Sequence, residues 1–103
     1  MSAKVHVGDV GTVFLATIKD QDGVVVDVST AAVRQMRFKK PDGTLLTKTA
    51  VLVTDGTNGQ VKYTAIVGDI DQAGEWFTDG YVEIGSGKWS SDVETFTVAD
   101  YLR

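Results

Sequence analysis

The sequence predicts an all-β protein, an immunoglobulin-like antiparallel β-sandwich of about seven strands. Apolar and polar residues alternate in short runs, which is typical of strands with one buried face. Turn residues such as Lys40-Pro-Asp-Gly43 separate the runs at roughly ten-residue spacing, as in a sandwich. The chain has 103 residues and no cysteine, so we expect one domain over residues 1–103 whose core is held by packing alone.

The first half of the chain contains four predicted strands. The second of them alternates so that Phe14, Ala16 and Ile18 share one face. A turn at Asp20-Gln-Asp-Gly23 precedes the third, which we expect at a sheet edge, because Asp bonds the following backbone and Gly accepts positive φ. The predicted strands run over residues 4–7, 12–19, 24–28 and 33–39.

The second half contains four more predicted strands, over residues 44–53, 61–65, 76–84 and 89–98. Pro41 and Gly43 fit the positions of a tight turn, so Phe38 and Leu45 should lie on adjacent antiparallel strands. Gly68 to Gly74 reads as a loop, with room for one helical turn, that crosses between the sheets. Gly74-Glu-Trp76 resembles the corner of immunoglobulin domains, which predicts a core Trp76 whose indole N–H meets a backbone acceptor.

The charge argues against nucleic acid as a partner. The formal net charge is −4 and the pI is about 4.7, whereas duplex binding depends on cations that neutralise phosphates. Arg34, Arg37, Lys39 and Lys40 form the one basic segment, which we interpret as the solvated face of a strand. The sequence shows no membrane span and no secretion signal, so we expect a protein made and kept in the cytoplasm.

Histidine and calcium chemistry have little support. His6 is the single histidine, and its position on an N-terminal strand beside Lys4 indicates an exposed surface residue rather than part of a catalytic triad. Asp20, Asp22 and Asp27 faintly suggest a calcium loop, but the spacing of an EF-hand is absent, so a plain turn is favoured.

Two carboxylate pairs could be proposed for glycosidase chemistry, Asp69 with Asp71 and Glu75 with Asp79. Such pairs matter when one member is buried enough to hold a raised pKa, and nothing in the sequence places these in a cleft. We therefore predict a protein that is not an enzyme, with no catalytic residue, cofactor or metal.

Three aromatic residues near the C-terminus are the predicted contact residues: Phe77, Tyr81 and Trp89. If Trp76 and Val82 face the core, then Phe77 and Tyr81 point the other way and stand on a nominally wet face. Exposed aromatics are enriched at protein interfaces and also form sugar-stacking platforms. Neighbouring side chains could instead cover them, and Trp89 could either extend the patch or cap the core.

Three segments in succession resemble the immunoglobulin-like N-terminal domain of phage baseplate upper proteins and related short phage virion proteins. They are residues 15–28, residues 36–44, and residues 59–63 followed by 69–76. The resemblance implies a bacteriophage virion structural or adaptor module, in a tail, baseplate or capsid surface, that acts through protein–protein contacts. The alternative is an immunoglobulin-like module displayed on the particle that binds carbohydrate or a cell surface.

The same resemblance sets the expected partners and location. We expect other virion proteins as partners, in a homo-oligomeric or repeated arrangement, with contact through an exposed strand edge and through Phe77 and Tyr81. A host-surface glycan is the second expected ligand, and neither nucleic acid nor membrane is expected. The expected location is the virion, and the host cytoplasm during assembly.

Overall fold

The computed structural model describes residues 5–100, and all regular structure within them is β-strand. Residues 5–100 form no helix with the length and hydrophobicity that crossing a bilayer requires. The strands are β1 (Val5–His6), β2 (Val13–Thr17), β3 (Val33–Lys39), β4 (Leu45–Thr49), β5 (Val51–Leu52), β6 (Gln60–Thr64), β7 (Gly74–Ile84), β8 (Gly87–Ser90) and β9 (Glu94–Ala99).

The strands form two sheets. The larger sheet has the order β1-β9-β7-β3-β4, with β8 also paired to β7, and the smaller sheet has the order β2-β6-β5. All pairings are antiparallel except that of β1 with β9, which is parallel. The prediction of an immunoglobulin-like β-sandwich is confirmed.

The turn at Pro41 joins β3 to β4 as predicted. The N–H of Lys40 donates to the carbonyl oxygen of Thr44 at 2.9 Å, and Gly43 has a φ of 89°, a left-handed conformation that glycine adopts without strain. Phe38 and Leu45 therefore lie on adjacent antiparallel strands, and Leu45 is directly opposite Lys39.

Besides the run 89–98, which divides into β8 and β9 with residues 91–93 outside both, two predicted strands differ from the structure. The run 44–53 divides at the buried Ala50: β4 belongs to the larger sheet and β5 to the smaller one, because the chain changes sheets there. Residues 24–28 form no strand; they contribute one bridge, between Lys19 and Val25, and the fully buried side chain of Val28. Apolar alternation marks the buried positions in both segments, but it does not show which sheet receives them.

The core lies between the sheets and is rich in aromatic rings. Phe14 of the smaller sheet packs edge-on against Phe38 of the larger one, with ring centroids 5.0 Å apart. Trp76 is 1% exposed, and its indole Nε1 donates to the carbonyl oxygen of Gln72 at 3.0 Å, so both predictions for this residue are confirmed. The loop before it crosses from β6 in the smaller sheet to β7 in the larger one, as predicted, but without a helical turn.

Candidate functional site

The outer face of the larger sheet carries two of the three predicted contact residues. Along β7, Trp76 and Val82 are buried, while Phe77, Asp79 and Tyr81 alternate with them and point away from the core. The predicted orientation of Phe77 and Tyr81 agrees with the structure, and their role as contact residues stays a prediction. Phe77 is 39% exposed, and Tyr81 is partly buried.

Cross-strand pairing sets the neighbours of these side chains. Lys39 of β3 lies between Leu45 of β4 and Phe77 of β7, directly opposite each of them. In the next outward-facing row, Arg37 lies opposite Asp79. Side chains directly opposite each other on one face are in contact range, so a lysine sits between two apolar residues.

These rows border a shallow cavity of about 400 Å³, which we call the outer groove. Its exposed apolar side chains come from three places in the chain: Leu45 is 72% exposed, Val93 is 62% exposed and Phe77 is 39% exposed. The groove is lined by Arg37, Phe38, Lys39, Leu45, Thr47, Phe77, Thr78, Asp79 and Val93.

One end of the outer groove is fixed by a paired arginine. Arg37 binds Asp79 with two hydrogen bonds, Nε to Oδ1 at 2.8 Å and Nη2 to Oδ2 at 2.6 Å, and Nη2 also reaches the Oγ of Ser90 at 3.1 Å. The hydrogen bonding to Asp79 raises the pKa of Arg37 above its ordinary value. Its guanidinium carbon lies 4.8 Å from the ring centroid of Tyr81, whose hydroxyl donates to Glu83 at 2.7 Å. Tyr81 is thus already occupied on its ring and on its hydroxyl.

The third predicted contact residue, Trp89, lies on the opposite face, paired directly with the inward-facing Val82, and a β-bulge shifts the register between β8 and β9. β8 and β9 pair with the same side of β7. Between them, the N–H of Ser91 donates to the carbonyl oxygen of Gly80 at 2.8 Å, and the N–H of Gly80 donates to the Oγ of Ser91 at 2.7 Å. Asp79 then faces two residues, 92 and 93, before β9 begins. The extra residue reverses the alternation along this segment.

Trp89 consequently points the same way as Val82 and Phe96, and its partly buried ring packs against the core and over Gly87. It does not join Phe77 and Tyr81 on one patch. Of the two alternatives open at the sequence level, the structure supports the one in which Trp89 caps the core.

The first of the two carboxylate pairs is separated by the structure. Asp69 is 6% exposed; its Oδ2 accepts hydrogen bonds from the Tyr63 hydroxyl and from the N–H of Ile66, and its Oδ1 lies 3.1 Å from the Nζ of Lys48. Asp71 instead pairs with Lys40 on the surface, with Nζ and Oδ2 3.1 Å apart. The two carboxylates therefore have different partners and form no acid/base pair.

Burial and pairing set the pKa values in this network. Burial would raise the pKa of Asp69, but the hydrogen bonds from Ile66, Tyr63 and Lys48 outweigh it and lower the pKa below the ordinary value. Burial, together with the bond to Asp69, raises the pKa of Tyr63 to about 12. The network joins β4, β6 and the crossing loop, so its role is structural.

The remaining candidate groups also have local partners. The N–H of His6 donates to Asp9 at 2.9 Å, and the His6 ring is 4.0 Å from the same carboxylate. Asp20 accepts from the N–H groups of Asp22 and Val24, which is the turn that the sequence predicts. Within residues 5–100 no group of three or more His, Asp or Glu side chains could hold a metal ion.

Comparison with known proteins supports the fold. No family model matches the chain, and no curated protein matches it. Its structure is similar to that of CopC from Methylosinus trichosporium OB3b, with a TM-score of 0.56 and 16% sequence identity, over 99% of this chain and 89% of CopC. At that identity the likeness shows a shared β-sandwich fold alone.

The predicted function, a bacteriophage structural or adaptor module with a displayed carbohydrate-binding module as the alternative, is wrong. CopC, a solved structure that this chain resembles, is not a phage structural protein. The segments that carried the phage resemblance are largely hairpin and corner sequences, and any sandwich with these turns needs similar residues. The family resemblance itself stays a prediction.

Proposed function

We propose that this chain is a non-catalytic protein-binding domain that holds an extended segment of a partner protein in the outer groove. The observation that carries the proposal is the set of exposed apolar side chains, Leu45, Phe77 and Val93, around one cavity on a sheet face. Side chains of this kind on the wet face of a sheet are typical of contact surfaces.

The distribution of charged groups supports a non-catalytic role. Active sites bring titratable groups together in a pocket and leave them free for the substrate. Around the outer groove the two paired groups, Arg37 and Asp79, are joined to each other by two hydrogen bonds. The buried carboxylate, Asp69, is occupied by Tyr63, Ile66 and Lys48 on the other side of the larger sheet.

The state of Tyr81 favours a protein ligand over a sugar. A sugar-stacking platform needs an aromatic ring with a free face, whereas Arg37 lies over the ring of Tyr81. Phe77 remains as the exposed aromatic of this face, and the apolar side chains of Leu45 and Val93 line the same groove, which suits an aliphatic or aromatic anchor.

Charge indicates the chemistry of the partner segment. Arg37, Lys40 and Lys48 each have a carboxylate within 3.1 Å, but Lys39 is exposed and forms no ion pair with a residue of the described range. Because Lys39 stands between Leu45 and Phe77, the groove fits a segment with a carboxylate flanked by apolar side chains.

Selection from a random peptide display library on the immobilised domain tests the proposal. Recovered peptides are synthesised and titrated against the wild type and against Phe77→Ser, Leu45→Ser and Lys39→Glu. Removal of either apolar anchor should weaken binding about tenfold, because exposed anchor residues typically carry 1–2 kcal/mol at an interface. Lys39→Glu should weaken acidic peptides by a similar factor, since it replaces attraction with repulsion.

Val67→Ser provides the matched control, because Val67 is 82% exposed and lies outside the groove. It should leave the affinity unchanged. Recovery of no peptide, or peptides that bind Phe77→Ser and Val67→Ser equally well, would overturn the proposal.

A further inference from the structure

The smaller sheet ends in a strand whose backbone is available for pairing. β2 is the first strand in the order β2-β6-β5. The N–H of Ile18 donates to Gly59 and that of Ala65 to Thr12, each at 2.8 Å, so the even-numbered residues of β2 bond toward β6. The N–H and C=O groups of Val13, Leu15 and Thr17 therefore point to the free edge.

This edge lacks the features that usually prevent strand addition. Its sequence, Val13-Phe-Leu-Ala-Thr17, contains no charge, no proline and no bulge. Val13 is 57% exposed and Leu15 is 52% exposed on its outer face. An apolar edge of this type is a template for a further strand.

A cleft of about 630 Å³ lies beside the edge. β2 packs over β7, so β8, the bulge and β9 extend past β2 and form the far wall of the cleft. Ala16 and Met36 lie at its floor, and Ser91, Asp92 and Glu94 belong to the far wall. The space is that of a strand missing from the smaller sheet.

Because β8 and β9 of the larger sheet extend beyond the edge of β2, they limit what can fill this space. A second copy that paired its own β2 with this edge would bring its β9 over the same region that β9 of the first copy occupies. The two larger sheets would then collide. A single extended segment carries no second sheet that would collide, so it fits between β2 and the far wall of the cleft.

We propose that the β2 edge accepts a single strand from another protein, with basic side chains turned into the cleft and apolar side chains turned outward. Outward residues of an added strand would lie beside Val13 and Leu15. Inward residues would meet Asp20, Asp92 and Glu94, which line the cleft together with one cation, Lys19, and with Asp79, whose charge Arg37 already pairs. Alternating basic and apolar residues match both faces.

The test uses the synthetic peptide Thr-Lys-Val-Lys-Val-Lys-Thr and a matched peptide with Glu in place of each Lys. Amide hydrogen exchange, followed by NMR residue by residue, reports where the backbone is paired. The lysine peptide should slow exchange at Val13, Leu15 and Thr17. Phe14 and Ala16, whose N–H groups already face β6, serve as internal references and should change little.

Two variants separate the contributions. Asp92→Asn combined with Glu94→Gln should weaken the lysine peptide about fivefold, which is the effect of losing two exposed ion pairs. Leu15→Pro removes an N–H that points to the free edge and should abolish binding. The NMR spectrum of each variant shows whether the fold is kept. If Leu15→Pro unfolds, the double variant Asp92→Asn with Glu94→Gln still tests the proposal.

Equal binding of the Glu peptide, or binding without protection at Val13, Leu15 and Thr17, would refute the β2 proposal. The result is independent of the outer groove, because Phe77→Ser leaves β2 unaltered. A lysine peptide that loses affinity in Phe77→Ser is bound at the outer groove and counts against the β2 edge.

Discussion

The indole Nε1 of Trp76 donates a hydrogen bond to the carbonyl oxygen of Gln72 at 3.0 Å, and this bond joins the start of β7 to the loop that crosses between the sheets. The ring itself is 1% exposed and packs against Phe38 and Phe96. The bond therefore fixes the corner where the chain leaves the smaller sheet and enters the larger one.

Trp76→Phe should lower the free energy of unfolding by about 2 kcal/mol, since it leaves the Gln72 carbonyl without its donor and a gap beside the ring. Urea denaturation followed by circular dichroism measures the change. Trp89→Phe is the matched control. Because Trp89 is only partly buried, this substitution should lower the free energy of unfolding by less than about 1 kcal/mol. If both variants lose the same free energy of unfolding, the hydrogen bond between Trp76 and Gln72 makes no specific contribution to stability.

Gly80 of β7 allows the two sheets to approach each other. A Cβ atom at this position would lie 2.6 Å from the Cβ of Ala16 and 3.3 Å from a methyl group of Val61. Gly80→Ala should therefore destabilise the protein by about 1–3 kcal/mol through overpacking.

The double variant Gly80→Ala with Ala16→Gly exchanges the two side chains across the gap. It should recover part of the loss, so the two substitutions should be non-additive in a double-mutant cycle. Strict additivity would show that contact with Ala16 is not the cause.

Alkaline stability should depend on Tyr63. Its pKa is raised to about 12 in the folded protein, by burial and by the bond to Asp69, from an ordinary value of 10.0. The folded state holds this proton more tightly, so the contribution to stability is complete below pH 10 and is lost as the pH rises toward 12.

Urea midpoints measured from pH 8 to 12 test this assignment. The difference in urea midpoint between the wild type and Tyr63→Phe should shrink across the upper part of that pH range, because phenylalanine has no proton to lose. A constant difference would place the linkage at another group.

Most of the sandwich could be predicted from the sequence because alternation and turn residues are local signals. The buried faces of β2 and β7, the Pro41 turn and the Trp76 bond all follow from such signals. The change of sheet at Ala50 could not be predicted, because an apolar residue looks the same whichever sheet it enters.

The candidate surfaces depend more on pairing partners than on local pattern. Phe77 could be placed on the outer face from alternation alone, but Lys39 and Leu45 become its neighbours through register. The pairing of Arg37 with Asp79 depends on residues 42 positions apart. The open edge of β2 depends on the difference in width between the sheets, which no segment encodes by itself.

The bulge at residues 92–93 is the feature that sequence alternation missed, and it lets Trp89 of β8 and Phe96 of β9 face the same side of the sheet. Deletion of Val93 would restore strict alternation, so either Trp89 turns outward or the side chains of β9 do. Exposure of one large apolar side chain should lower the free energy of unfolding by about 2–3 kcal/mol.

Val93→Ala keeps the bulge and shortens a side chain that is 62% exposed, so its effect on the free energy of unfolding should stay within about 0.5 kcal/mol. Urea denaturation measures both variants, and tryptophan emission should shift to longer wavelength in the deletion if the indole of Trp89 becomes exposed. A deletion variant as stable as Val93→Ala would show that the extra residue is not needed for Trp89 and Phe96 to face the same side.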